Sequence, residues 1–152
     1  MLELAREADR ASVNRLACQV HALHVSWRPD IYRMPEELYP QERFAQAIQD
    51  RELYVAKQNN TIVGYVLLRI RQNRDIPGLV NRTILLVDEF CVEESVRGQG
   101  IGTEMMTEVR AIARAFGCTD LQLGVYPQND AAVAFYQKCG FTIRSIDMQR
   151  KV

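Results

Sequence analysis

The sequence has no surplus of either charge: lysine and arginine together number 19, and aspartate and glutamate number 19. A chain without a net field is not built to wrap a polyanion, so nucleic acid is not an expected partner and any anion site must be local. Long apolar runs are missing too. Met1 to Arg10 mixes charge with short apolar pairs, the pattern of neither a signal peptide nor a membrane span. No membrane partner is expected, and the expected location is cytoplasmic. Cys18, Cys91, Cys118 and Cys139 show no CxxC spacing and have apolar flanks such as Phe90 and Val92, so they are expected to be reduced thiols in a core. His21 and His24 lack a matched carboxylate, and no metal site is expected. Internal repeats and low-complexity tracts are absent.

What is present is an ordinary globular balance, 47% hydrophobic and 25% charged over 152 residues, sufficient for one core and therefore for a single domain spanning 1–152. Leu2 and Leu4 alternate with polar neighbours as an edge strand does, and Ala11 to His24 changes to helical spacing. Ser26 to Pro40 holds three prolines with Trp27, Tyr32 and Tyr39, which predicts an aromatic-rich loop, followed by a helix over Gln41–Gln49. Leu53–Lys57 and Thr61–Arg71 predict a hairpin turning at Gln58, Asn59 and Asn60, and Gln72–Arg82 a loop. Ile84–Val92 is the most strand-like segment and is expected at the centre of a sheet. Ile101, Met105, Val109, Ile112 and Phe116 mark one face of a helix that Gly117 stops. A strand over Leu121–Val125, a helix over Asp130–Cys139 capped by Asn129, and a last strand from Phe141 complete the pattern. This order predicts an α/β fold: a mixed, mostly antiparallel sheet with helices on both faces, in three layers.

Between the central strand and its following helix lies Arg97-Gly98-Gln99-Gly100-Ile101-Gly102. Helix entrances leave backbone amides unpaired, glycines let a phosphate approach them, and Arg97 adds a charge-assisted donor. The segment therefore reads as a cradle for a diphosphate. It is not a Rossmann fingerprint, because the third glycine would fall on Thr103, nor a Walker A loop, because no lysine follows the glycines.

The phrase Val87-Asp88-Glu89-Phe90-Cys91-Val92, four residues, and then Arg97 to Gly102 resembles the acetyl-CoA motif of the GCN5-related N-acetyltransferase (GNAT) family. A second signature follows in order, Asn129, Ala132, Phe135-Tyr136 and Gly140-Phe141, so the resemblance covers about Ile84 to Phe141. It implies an enzyme that moves the acetyl group of acetyl-CoA to a primary amine, on a small molecule or a protein, by direct attack. Cys91 and Val92 would pair with the pantetheine arm, and Arg97, Gly98, Gln99, Gly100, Ile101 and Gly102 would hold the diphosphate. Asn129 would contact the arm or simply cap its helix. Val92 N–H would stabilise the oxyanion. Tyr136 would protonate the leaving thiolate or else only pack.

An amine with a pKa of about 10.4 must lose a proton before it attacks. Asp88, on one face with Phe90 and Val92 by strand alternation, is the first choice of base, Glu89 the second, and a water chain the third. Acceptor choice is expected from the first helix, the aromatic loop and the loop before Ile84, where Asp30, Glu36 and Glu37 lie near Trp27, Tyr32 and Tyr39. The alternatives are an acetyl-CoA sensor of the same fold and a transferase for another acyl-CoA. The resemblance leaves room for a homodimer.

Overall fold

The alternation at Leu2 and Leu4 becomes strand β1 (Leu2–Leu4), and the helical spacing after it becomes α1 (Arg10–Trp27), which runs three residues further than the spacing predicts and takes in Trp27. The computed structural model describes residues 1–152. After α2 (Gln41–Gln49), β2 (Leu53–Gln58) and β3 (Thr61–Asn73) form the expected hairpin, with Asn59 and Asn60 both at positive φ in its turn. Asparagine tolerates that backbone better than most residues, which is why a polar pair suffices there without glycine. The chain continues through β4 (Arg82–Val92), α3 (Ile101–Ala115), β5 (Asp120–Leu123) and α4 (Asp130–Lys138).

The strands lie in one sheet in the order β1-β2-β3-β4-β5, antiparallel except for the parallel pair β4–β5. Alternation along β3 divides the core. Tyr65 and Leu67 pack with Val13, Leu16, Phe44 and Ala47 of α1 and α2, whereas Val66 and Leu68 pack with Met106, Val109 and Ala113 of α3. Each face thus buries one helical layer, giving the three-layer α/β arrangement that the pattern of elements predicts.

Two irregularities in β4 shape the cleft. Leu67 pairs with Glu89 and Leu68 with Val87, so Asp88 is an extra residue, a β-bulge. β4 is also matched by β3 along its length to Val92, but by β5 only from Ile84 to Val87. Beyond Val87 the two parallel strands part and open a fork.

The last expected strand does not form. From Thr142 onward the chain makes no backbone hydrogen bond to β5 or to any other element, and Ile143, Ile146 and Met148 are 75%, 77% and 93% exposed. Their spacing explains it: the two-residue period set by Phe141 and Ile143 breaks at Ser145, so no single face of a strand would be apolar.

Gly64 marks the closest approach in the sheet. A Cβ there would stand 2.7 Å from the Cys91 carbonyl oxygen and 2.8 Å from Met105 Sδ. Backbone on one side leaves little room to yield, so Gly64→Ala is expected to cost about 1–3 kcal/mol, read as a lowered midpoint in urea unfolding.

Candidate functional site

The glycine segment follows a short 3₁₀ turn, Glu94–Val96, and leads into α3. Gly98 and Gly100 adopt φ of 80° and 88°, a region where other residues are strained, and Gly100 occupies the helix N-cap position. No side chain caps this helix. None of the N–H groups from Gly98 to Thr103 donates to a backbone carbonyl; the first that does is Glu104, to Gly100 O at 3.0 Å. Six successive amides therefore lack a backbone partner at the positive end of one helix dipole, the arrangement that a bound anion would need. A Cβ at Gly98 or Gly100 would meet nothing within 4 Å, so it is backbone conformation that those two glycines serve. Gly102 differs: a Cβ there would lie 3.3 Å from the Phe135 ring and 3.6 Å from Val92 Cγ2, so this glycine lets α4 close on the start of α3.

Beside the cradle runs the free edge of β4. Glu93 N–H donates to Val63 O at 2.8 Å, toward β3, and strand alternation then turns Val92 N–H and C=O into the fork. The Val92 carbonyl accepts from Arg97 Nε at 3.0 Å, and the Nη donors of Arg97 hold no protein partner. Cys91 is turned the other way. Its backbone faces Tyr65 of β3, and its buried thiol donates to Leu16 O at 3.4 Å, with burial pushing its pKa up to about 12. Of the two residues expected along the coenzyme arm, Val92 turns its backbone into the fork and Cys91 turns its own toward β3.

The expectation that Asp88 shares a face with Phe90 and Val92 fails, because the bulge breaks alternation. Arg69 Nη1 lies 3.2 Å from Asp88 Oδ2, and Arg69 lines the groove with Tyr39, Arg43 and Leu67 on the α2 side of the sheet. Glu89 points to that same side. Its Oε2 accepts from Tyr39 Oη at 2.8 Å and Tyr65 Oη at 2.7 Å, and Arg43 Nη2 lies 2.7 Å from Oε1. Both tyrosines are buried, and burial, then the Glu89 charge, pushes each phenol well above its ordinary pKa, so both remain donors. Sequence spacing marks neither tyrosine as a partner of Glu89, since they converge on it from 50 and 24 residues away.

Tyr136 stands on the α3 side of the fork, its ring 6.2 Å from Phe90, 5.3 Å from Phe135 and 5.8 Å from Phe141. Its hydroxyl makes no hydrogen bond within the protein and is not sealed from solvent. Burial of the ring pushes its pKa up to about 12. Asn129 is a helix cap: its side chain accepts from Ala132 N–H at 3.2 Å.

On the opposite lip, His24, Trp27, Tyr32 and Tyr126 converge. His24 stacks on Tyr32 at 5.3 Å and lies 5.7 Å from Trp27 and 5.5 Å from Tyr126, and the hydroxyls of Tyr32 and Tyr126 share a hydrogen bond of 2.8 Å. His21 Nε2 donates to the Arg33 carbonyl at 2.8 Å. Burial, then the nearby His21, lowers the His24 pKa, which keeps the imidazole neutral at pH 7. Tyr126 is the member that sequence reasoning missed; it follows β5 without periodicity or motif to announce it.

The cradle, the forked strand and Tyr136 fall within residues 19–141, which match the model of the Acetyltransferase (GNAT) family. The chain belongs to that family. Among its relatives, an uncharacterized N-acetyltransferase, YvbK of Bacillus subtilis, is 29% identical over 97 residues, covering 63% of this chain and 56% of the relative. The chain thus matches little more than half the length of that curated relative. A tetramutant of the BH1408 protein from Bacillus halodurans superposes with a TM-score of 0.95 at 28% identity, over 100% of this chain and 99% of the other. The aminoglycoside N-acetyltransferase AAC(6′)-Iy, in complex with CoA, shares the fold at a TM-score of 0.71 and 14% identity, with 100% of each chain covered. This GNAT chain has no helix long and apolar enough to cross a membrane.

Glu89→Ala would strand two buried phenol donors and is expected to cost about 1.5–3 kcal/mol in urea unfolding. Glu89→Gln keeps an acceptor for them and should retain most of that stability, so its turnover reports whether the carboxylate does chemistry.

Proposed function

We propose that this chain is an acetyl-CoA-dependent N-acetyltransferase whose acceptor is the primary amine of a small molecule. The observation that carries the proposal is the row of unpaired amides from Gly98 to Thr103 standing beside the unpaired edge of β4. Acetyl-CoA brings two groups that need such partners, a diphosphate and a peptide-like pantetheine arm. The amides of the cradle and the Nη donors of Arg97 suit the first, and Val92 N–H and C=O suit the second. A thioester following Val92 into the fork would lie between Glu89 on one face of the sheet and Tyr136 on the other.

In this scheme the amine nitrogen attacks the thioester carbon, the C–S bond breaks, and the sulfur leaves with its electron pair. Val92 N–H is placed to donate to the oxygen that gains charge, a contact of a kind worth about 3–4 kcal/mol. Tyr136 supplies the proton that the leaving sulfur takes, since its hydroxyl is free and protonated at neutral pH. The proton lost by the amine passes to Glu89, directly or across one water. We place Glu89 ahead of Asp88 because, although each acid pairs with an arginine, Glu89 stands close enough to His24 of the aromatic lip to act on its charge. The unengaged Tyr136 hydroxyl favours transfer over mere sensing of the coenzyme, because a binding module has no use for a proton donor there.

Tyr136→Phe is expected to lower kcat about 10-fold or more with coenzyme affinity nearly unchanged, by steady-state kinetics and calorimetry. An unchanged kcat would remove Tyr136 from the chemistry. Gly100→Ala places a side chain at φ 88° in the cradle and should weaken CoA binding about 10-fold in the same titration.

The pH profile depends on the Tyr136 shift. Burial disfavours the phenolate, so the acid form persists up to about 12. Turnover at subsaturating amine should rise toward an amine pKa of about 10.4 and not fall before it. A descending limb near pH 9 at intact fold would contradict the assignment.

A further inference from the structure

The acceptor side of the fork has walls of rings and few free acids. Asp30 lies 2.8 Å from Arg28, and Glu89 2.7 Å from Arg43. Of the acids in the loop between α1 and α2, only Glu36 lacks an ion pair. An acceptor with several ammonium groups needs unpaired carboxylates spread along its length, and here arginines already occupy them. The rings, in contrast, are available. Those of His24, Trp27, Tyr32 and Tyr126 are each half-buried rather than sealed. They stand at varied angles: Tyr32 and Tyr126 are perpendicular at 83°, and Trp27 is inclined by 48° to Tyr126 and 60° to His24. They form a corner with several faces, not a flat stack. From Tyr126 a groove of about 390 Å³ continues between Arg28, Pro127, Gln128, Asp147, Gln149 and Lys151. Its volume is at the small-molecule end of binding sites, and its lining sets two cations against one carboxylate.

We propose that the acceptor is a monoamine carried on a flat aromatic body, which seats on the corner of His24, Trp27, Tyr32 and Tyr126 with its nitrogen directed toward Glu89. This rests on the acetyl-transfer function proposed above and narrows it to one chemical class. The body meets ring faces and edges at stacking distance, the single ammonium is attracted by the ring faces as it enters, and the paired hydroxyls of Tyr32 and Tyr126 give the site a polar edge. A polycationic aminosugar would meet Arg28 and Lys151 in the groove and find Asp30 engaged. The class therefore departs from that of the aminoglycoside enzymes that share the fold.

The chain has one tryptophan, Trp27, and it stands in the corner, so its emission reports occupancy whether or not acetyl transfer occurs. The experiment titrates the protein with 2-phenylethylamine, n-butylamine and kanamycin, first by Trp27 fluorescence without acetyl-CoA and then by thiol release with it. Saturable quenching by phenylethylamine alone, and a kcat/KM for it about 10-fold or more above the other two, is the expected result. Tyr126→Ala should lower the ratio of phenylethylamine to butylamine kcat/KM about 10-fold; should that variant not fold, Tyr126→Leu keeps the bulk and tests the ring. Kanamycin equal to or better than phenylethylamine, or no preference between phenylethylamine and butylamine, overturns the proposal. Quenching by phenylethylamine with no thiol release from any amine supports the seat and refutes acetyl transfer. No quenching, with thiol released from butylamine, refutes the seat and leaves acetyl transfer standing.

Discussion

Everything functional in this chain depends on β4 being longer than the strand beside it. A central strand is normally paired on both edges, and a buried strand with one free edge would leave amides and carbonyls without partners. Here β5 accompanies β4 for four residues, Ile84 to Val87, and then departs, so the last turn of pleat ending at Val92 is bonded to β3 only. The exposed edge lies beside a helix entrance whose amides are equally unpaired. Two kinds of main-chain deficit, one in a sheet and one at a helix, thus share one cleft, and a ligand with amide groups at one end and a diphosphate at the other satisfies both. Arg97 covers part of that deficit by donating to the Val92 carbonyl.

The bulge at Asp88 is a second consequence of the same strand. Regular alternation would send Asp88 and Glu89 to opposite faces, one into the α3 layer beside Val66 and Leu68, where a charge would have no partner. Inserting one residue turns both acids to the α2 side, where arginines and tyrosine hydroxyls meet them. The apolar face stays apolar, and Glu89 is held by three donors at the mouth of the fork. A single backbone irregularity therefore puts both carboxylates on one face, and it is also why alternation counted along the sequence wrongly gave Asp88 a face with Phe90 and Val92.

What was legible from sequence had short-range physical causes. The α3 stripe from Ile101 to Ile112, the Gln58–Asn60 turn, the glycine segment and the Asn129 cap all depend on residues within a few positions of one another, and each stands where its spacing placed it; Phe116, the last of the spaced apolar residues, falls just past the helix and is 55% exposed. What was not legible depends on contacts across the chain. The Tyr39, Tyr65 and Arg43 cluster at Glu89 and the meeting of Tyr32 with Tyr126, 94 residues apart, have no local signature. The tail shows the converse: Phe141 and Ile143 begin an alternation too brief to make a strand.

Helix α1 joins the two halves of the cleft. Near its middle, Leu16 receives the Cys91 thiol, and Arg15 and Gln19 hold Glu93, the residue that starts the turn into the glycine cradle. Glu93 also accepts from Glu94 N–H, so that turn is fixed from both sides. Two turns further along the same helix, His24 and Trp27 enter the aromatic corner. A rigid helix carries these contacts at a fixed rise of about 1.5 Å per residue, so the distance from cradle to corner is set by α1 and not by the loops. Its C-terminal overrun past the predicted end brings Trp27 to Tyr126, at the end of the strand that departs from β4. The strand that opens the fork and the helix that spans it thus meet at the aromatic corner, and the distance from cradle to corner rests on packed elements with the loops only completing the walls.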